Sequence, residues 1–187
     1  MEYHFDTFVE YNSIENNISE YFMLSEKSDV YFMSIKNNPK NEIKGSLIDF
    51  NTQKIHFFEI FKIQQNFDFR YIKSEKLSIK NKTFIDYNFE LNETKIDSTT
   101  TEIKLFKHKN QKKNKLEKAF DLIYDINSIN INEQFLNRFC HGYFSNTEFK
   151  LTIPLPKSIT VYSQKKTSET FKLKNIEKIN TQLLVKE

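Results

Sequence analysis

The residues that look most able to do chemistry are Cys140 and His141, which are adjacent in the segment NRFCHGYFS at 137–145. A cysteine thiolate activated by a histidine is the nucleophile of several hydrolase classes. Adjacent side chains, however, point to opposite faces of a strand and diverge by about 100° on a helix, so these two do not form a dyad by themselves. No local signature selects His4, His56 or His108 as an alternative base. We therefore interpret Cys140 as a buried structural residue and rank a hydrolase third among the functions considered.

Other catalytic and metal-binding patterns are missing from the sequence. No two histidines are two or four residues apart, a single cysteine excludes a CxxC zinc pattern, and 2 glycines are too few for a phosphate-binding loop. Asp121 and Asp125 share a strand face but would lie about 13 Å apart, beyond the range of paired glycosidase carboxylates. His56 is expected on the less buried face of its strand. We predict no catalytic residue, no metal site and no cofactor.

The composition is that of one folded domain covering 1–187, since 38% of the residues are hydrophobic and 19 are Phe. The net charge of +3 is too small to indicate a nucleic-acid partner, and the lysine-rich segment 107–118 is interpreted as a solvated hairpin tip rather than a phosphate-binding surface. No apolar run approaches the ~18 residues of a transmembrane helix. With so few glycines, left-handed turns should fall mostly to Asn, as in the turn DFNTQ at 49–53.

Period-two alternation dominates the chain and indicates antiparallel strands with one buried face. Examples are EYHFDTFVEY at 2–11 and AFDLIYDI at 119–126, where aromatic and aliphatic residues alternate with polar ones. The segments DVYFMSI, KIHFFEIFKI and FDFRYI are apolar on both faces and are interpreted as central strands. About ten strands in sequential hairpins predict a mainly β fold, either a strongly curved antiparallel meander or an incomplete barrel.

One or two short helices are expected to pack on this sheet. The best candidate is NEQFLNRFCHG at 132–142, where Asn132 can cap the start and Gly142 can end the helix. Its apolar stripe consists of Phe135, Leu136, Phe139 and Cys140. A second helix around 14–21 is compatible with the spacing, although a hairpin there is favoured.

Several stretches resemble the mature part of small extracytoplasmic proteins of flavobacteria. They are EYHFDTFVEYN, DVYFMSIKN, GSLIDFNTQKIHFF, AFDLIYDINS and TFKLKNIEKIN, which together cover most of the chain. The short L-x-D strand followed by an aromatic strand is similar to lipoprotein carriers such as LolA. That resemblance implies an incomplete barrel around a helix, an apolar groove that binds acyl chains, no catalytic residues and a location in the periplasm or at the outer membrane.

The first functional hypothesis is therefore a non-catalytic, extracytoplasmic binding protein whose partner is a lipid or another apolar small molecule. The expected ligand-binding residues are aromatic: Phe32, Phe57, Phe61, Phe69, Tyr71 and Phe139. The alternative is a protein-interaction module, such as a cytoplasmic immunity protein that blocks a toxin. Both hypotheses assume a chemically inert inner face, and ionisable side chains converging in a cleft would contradict that assumption.

Overall fold

The structure of the chain is a computed structural model. It describes residues 1–37, 42–63, 66–77, 87–109, 117–136, 139, 152–162 and 168–185. Strands dominate these ranges, so the predicted mainly β class is confirmed. No helix within them is long and apolar enough to cross a membrane.

Thirteen strands are present in the described residues. They are β1 (Glu2–Ser13), β2 (Ser19–Ser25), β3 (Ser28–Asn37), β4 (Ile43–Asp49), β5 (Lys54–Ile63), β6 (Asn66–Lys76), β7 (Tyr87–Lys95), β8 (Thr100–Lys109), β9 (Glu117–Asp125), β10 (Asn130–Asn132), β11 (Thr152–Pro154), β12 (Pro156–Tyr162) and β13 (Ser168–Leu184). The predicted number of about ten is not confirmed. One reason is that β10 and β11 have 3 residues each, too few to show a two-residue period.

Eleven strands form one antiparallel sheet in the order β6-β5-β4-β3-β2-β1-β13-β12-β9-β8-β7, and β10 pairs with β11 separately. Antiparallel pairing of sequential hairpins is thus confirmed. Within the described part of the chain the sheet is open, with β6 and β7 as its two edge strands. The segment FDFRYI, predicted to be a central strand, therefore lies in an edge strand.

The predicted ten-residue helix at 132–142 is not confirmed. Among the described residues of this segment, Glu133–Leu136, here α1, are helical and Phe139 lies in a turn. Asn132 is the last residue of β10, pairs with Thr152 of β11 and directly precedes α1, so it stands at the position predicted for the helix cap. Residue 140 and the segment 141–151, with Cys140, His141 and Gly142, lie outside the described residues. Near the N terminus, the favoured hairpin is present as β2 and β3.

The chain divides into two compact units. The first comprises Met1–Tyr11, Ser19–Ser78 and Lys174–Glu187, and the second comprises Asn12–Ile18 and Ile79–Leu173. In the first unit, alternate residues of neighbouring strands point to the same side of the sheet and form one apolar cluster. Its members are Tyr3, Phe5, Met23, Met33, Ile35, Leu47, Phe58, Ile60, Leu183 and Val185.

The second unit has its own buried apolar residues. Phe120, Leu122 and Tyr124 of β9 are buried on one face, as the alternation in AFDLIYDI predicted. The helical turn α1 adds Phe135 and Leu136, which are 2% and 0% exposed. Of the apolar stripe predicted for this segment, Phe135, Leu136 and Phe139 are buried, and Cys140 lies outside the described residues.

Candidate functional site

Five polar side chains of the first unit meet at the end of the sheet where β4 turns into β5 and β6 ends. Tyr3 comes from β1, Asp49 from β4, His56 from β5, and Tyr71 and Ser74 from β6. Tyr3, Asp49 and His56 are buried, with exposed fractions of 3%, 4% and 0%. Buried polar groups are costly unless they are hydrogen-bonded, so their partners decide whether this cluster is stable.

The five side chains form one continuous hydrogen-bonded chain. Tyr3 Oη lies 2.7 Å from Asp49 Oδ2 and 3.1 Å from His56 Nε2. On the other side of the imidazole, His56 Nδ1 lies 2.6 Å from Ser74 Oγ, and Ser74 Oγ lies 2.7 Å from Tyr71 Oη. We call this set the relay: Asp49, Tyr3, His56, Ser74 and Tyr71.

The direction of every hydrogen bond in the relay follows from the carboxylate at its inner end. An ionised Asp49 only accepts, so Tyr3 donates its proton to Asp49 and accepts from Nε2–H of His56. In a neutral imidazole Nδ1 is then unprotonated and accepts a hydrogen bond from the Ser74 hydroxyl. Ser74 in turn accepts from the Tyr71 hydroxyl. All the protons of the relay therefore point inward, toward Asp49.

Asp49 is held by the turn that follows it. Its Oδ1 accepts from the backbone N–H groups of Asn51 and Thr52 at 2.8 and 3.1 Å, the usual arrangement of an Asx turn. The turn ends at Gln53, whose φ of 55° is left-handed. Burial alone would raise the pKa of Asp49, but the hydrogen bonds from Tyr3, Thr52 and Asn51 outweigh it and hold the pKa below its ordinary value.

A β-bulge places Tyr71 and Ser74 on the same side of β6. Ser74 pairs with His56 and Tyr71 pairs with Phe58, while the register shifts between Phe57 and Phe58. Residues three apart normally point to opposite faces of a strand, and the one extra residue of the bulge cancels that difference. The hydrogen bond between the two hydroxyls depends on this irregularity.

The relay ends at a surface pocket of about 560 Å³. Its lining combines the β4–β5 turn with the end of β6 and consists of Thr52, Gln53, Lys54, Tyr71, Ser74, Glu75 and Lys76. Tyr71 and Ser74 thus belong both to the relay and to the pocket wall. Pockets of a few hundred Å³ with a few convergent polar groups are typical of small-molecule sites.

This end of the sheet buries more polar groups than the sequence suggested. His56 was expected on the less buried face of its strand, yet it is fully buried, and Asp49 lies with it at one end of the sheet. The sequence signal that was missed is a polar residue near the same end of three neighbouring strands: Asp49 in β4, His56 in β5 and Ser74 in β6. Its significance depends on the strand register, which the sequence does not display.

Phe57 and Phe61, two of the predicted ligand-binding residues, lie together on the outer face of β5. Phe57 is half-buried, and Phe61 is 43% exposed. Cations of β6 cover both rings: Lys73 Nζ lies 5.5 Å from the Phe57 centroid, and Arg70 Cζ lies 5.3 Å from the Phe61 centroid. Such cation–π contacts keep these aromatic rings partly shielded from water.

Phe69 and Tyr71 lie on the opposite face of the same hairpin. Both pack against Phe58, with ring centroids 6.4 and 5.9 Å away. They join the apolar cluster of the first unit from its edge strand. Within this unit the predicted residues are therefore divided between two faces of the sheet, and only Tyr71 lines the described pocket.

The remaining two predicted residues are core residues. Phe32 is 4% exposed and packs against Phe22 and Phe50, with centroids 6.2 and 6.0 Å away. Phe139 belongs to the second unit, is 3% exposed and contacts Phe135 and Phe171. The hypothetical nucleophile Cys140 lies outside the described residues.

Among the described residues, no group of three or more His, Cys, Asp or Glu side chains is arranged to hold a metal ion. No protein-family model matches the chain, and no curated protein matches it either. The resemblance to lipoprotein carriers therefore stays a prediction. The relay and the pocket are the features of the molecule that bear on its function.

Proposed function

We propose that this protein is a non-catalytic binding protein and that its ligand occupies the pocket between the β4–β5 turn and the end of β6. The observation that carries the proposal is a pocket of about 560 Å³ whose inner wall contains Tyr71 and Ser74. The relay fixes both hydroxyls before any ligand arrives. Preorganised polar groups are a favourable start for binding, because little side-chain entropy is lost when the ligand enters.

The lining favours a small polar ligand over the lipid that the sequence suggested. Every residue of the lining carries a hydroxyl, amide, ammonium or carboxylate group. The aromatic residues Phe57 and Phe61 lie on the other face of β5 under Lys73 and Arg70. An acyl chain would have to desolvate these polar groups without hydrogen-bonding them, which is unfavourable. The periplasmic location was inferred from the carrier resemblance and stays a prediction with it.

The proposal is tested by screening a library of small polar fragments against the ¹⁵N-labelled protein. Backbone amides of Thr52, Lys54 and Ser74 are expected to shift on binding, while those of the β3 core stay constant. Thr52→Trp should fill the pocket and abolish the shifts. Asn51→Trp is the matched control, because Asn51 is also exposed in the same turn but does not line the pocket. A fragment that binds equally well to Thr52→Trp would contradict the proposal.

A protein-interaction module is the second candidate, and the edge strand β6 favours it. Phe67 and Ile72 of β6 and Phe61 of the adjacent strand are 39%, 46% and 43% exposed, and an edge strand offers unpaired backbone groups to a partner. The test is co-expression with the product of the neighbouring gene. Phe67→Lys should abolish co-purification, while Ile176→Lys, at another exposed position, should not.

A further inference from the structure

The pocket combines two hydroxyl groups with two lysines, and together these groups specify the class of its ligand more closely. Its lining includes Tyr71 and Ser74, whose hydroxyls belong to the relay and which we call the hydroxyl wall. It also includes Lys54 and Lys76, the terminal pair of the β5–β6 ladder, which we call the lysine end. What each group offers to a ligand follows from its hydrogen bonds and from the strand register. This argument rests on the proposed function, since it identifies the ligand class of the same pocket.

The lysine end is basic because two lysines face each other directly. Lys54 of β5 pairs with Lys76 of β6, so their Cβ atoms lie about 5 Å apart on the same face. Like charges directly opposite each other on neighbouring strands are destabilising. Asp49 is the register partner of Lys54 on β4, so these three residues together carry one net positive charge. A bound anion would relieve this repulsion.

The remaining acidic group of the lining does not alter that balance. Glu75 forms an ion pair with Lys73 on the same strand. Both side chains are more than half exposed, at 51% and 58%, so this pair is well solvated. The positive end of the pocket is therefore set by Lys54 and Lys76.

The lysines attract an anion, whereas the hydroxyl wall needs a ligand group that donates hydrogen bonds. With a neutral His56, the Ser74 hydroxyl donates a hydrogen bond to His56 Nδ1, and the Tyr71 hydroxyl donates one to Ser74 Oγ. Both oxygens consequently present only lone pairs to the pocket, and their natural partners are the O–H or N–H groups of a ligand. A bare anion would satisfy the lysines but not this wall.

The two ends are separated by a distance that suits a small molecule. Lys76 follows Ser74 by two residues on the same face of β6, which corresponds to about 7 Å along the strand. We propose that the pocket binds a small hydroxylated anion, such as a sugar phosphate or hydroxy acid, with its anionic group between Lys54 and Lys76 and a hydroxyl donating to Ser74.

The probes for the test separate the two halves of this proposal. Glucose 6-phosphate and glycerol 3-phosphate carry both groups, inorganic phosphate carries only the anion, and glucose carries only hydroxyls. Chemical shifts of the pocket amides, followed through a titration at constant ionic strength, give the dissociation constants. We expect at least one of the two hydroxylated phosphates to bind about tenfold more tightly than either phosphate or glucose, the equivalent of one charge-assisted hydrogen bond.

Two substitutions assign the binding energy to the two ends. Lys76→Gln should weaken the hydroxylated phosphate about tenfold and leave glucose unchanged. Ser74→Ala should weaken the hydroxylated phosphate and glucose but not phosphate. Lys36→Gln is the matched control, because Lys36 also opposes a lysine, Lys44, but lies outside the pocket lining.

The outcomes distinguish this proposal from the broader one. If neutral fragments bind in the pocket and neither hydroxylated phosphate does, the ligand class is wrong and the binding function stands. If a hydroxylated phosphate binds but Lys76→Gln binds it as tightly as the wild type, the anion site is wrong. If no fragment and no phosphate shifts the pocket amides, both proposals are overturned.

Discussion

Tyr3→Phe is the most direct test of the relay, because it removes one hydroxyl and leaves the aromatic ring in place. The hydroxyl donates to Asp49 Oδ2 at 2.7 Å and accepts from His56 Nε2 at 3.1 Å. A hydrogen bond to a charged group contributes about 1.5–3 kcal/mol, and the buried imidazole N–H that loses this acceptor adds about 1 kcal/mol. We expect a loss of about 3 kcal/mol in the free energy of unfolding.

The matched control is Tyr31→Phe, in the same unit and with its ring centroid 5.1 Å from that of Tyr3. Its hydroxyl donates to the His4 carbonyl at 3.0 Å and accepts from the His4 amide at 3.2 Å, both uncharged groups. Its removal should cost about 1 kcal/mol. For a chain of this size, the two variants should melt about 6–12 °C and about 2–4 °C below the wild type.

The assay is urea and thermal unfolding followed by far-ultraviolet circular dichroism, since the chain contains no tryptophan. The pH adds an independent check. The pKa of Asp49 lies below its ordinary value of 3.8, so its stabilisation is complete above that pH and is lost as the pH falls through the folded-state pKa. The difference between wild type and Tyr3→Phe should shrink accordingly below pH 3.8. Equal losses in Tyr3→Phe and Tyr31→Phe at neutral pH would refute the relay.

Three further outcomes follow from the fold. Gly45→Ala should lower the free energy of unfolding by about 1 kcal/mol, because the new Cβ would lie 3.0 Å from Ile60 Cδ1 and 3.1 Å from Met33 Sδ; a more stable variant would show that these side chains yield freely. Asn17 has a φ of 52°, so Asn17→Gly should leave the free energy of unfolding nearly unchanged and Asn17→Ala should lower it by about 1 kcal/mol. The urea midpoints of the two variants measure this difference, and equal midpoints would contradict a left-handed turn. Burial raises the pKa of the Tyr11 hydroxyl well above 10.0. The contribution of the neutral, buried hydroxyl to stability is therefore complete below pH 10.0 and is lost as the pH rises through the folded-state pKa. Ultraviolet titration of wild type and Tyr11→Phe should show one late, cooperative ionisation missing in the variant, and a gradual ionisation would argue against burial.

The strands were predictable wherever one face of the sheet is buried along its whole length. In β1 every second residue from Tyr3 to Tyr11 is buried and the alternate residues are not. Thr7 is the one polar member of that buried row, so the sequence still shows the two-residue period. The turn DFNTQ was predictable for a related reason, because an Asp followed by polar residues binds its own backbone. Such features depend only on neighbours within a few residues.

The relay was not predictable, because its members are brought together by strand order and register. Tyr3 is 46 residues from Asp49 and 53 from His56, and His56 is 18 from Ser74. Nothing local marks any of them as a functional residue. The left-handed turn residues are a smaller example. Asn17 is of the expected type, but in DFNTQ the left-handed residue is Gln53 and not Asn51, so that expectation is wrong. Gln53 has no left-handed preference and is held there by the turn around Asp49.

The bulge in β6 is where period-two reasoning fails most clearly. A regular strand would put Tyr71 and Ser74 on opposite faces, yet both lie opposite core-facing residues of β5, Phe58 and His56. The extra residue between the two registers is Ile72, which is 46% exposed and so contributes little to the core. The bulge therefore sets which side chains of β6 reach the pocket.

Two single-residue deletions test this role of the bulge. Deleting Ile72 leaves Tyr71 opposite Phe58 and Ser74 opposite His56 in a regular ladder, so the relay should survive. Deleting Arg70 also makes the ladder regular, but it moves Ile72 opposite Phe58 and turns Tyr71 to the outer face. The Arg70 deletion should therefore be less stable by about 1 kcal/mol, the value of the lost hydrogen bond to Ser74, and should bind pocket ligands more weakly. Urea unfolding and amide titration compare the two, and an Ile72 deletion as damaging as the Arg70 deletion would show that the bulge does more than set the register.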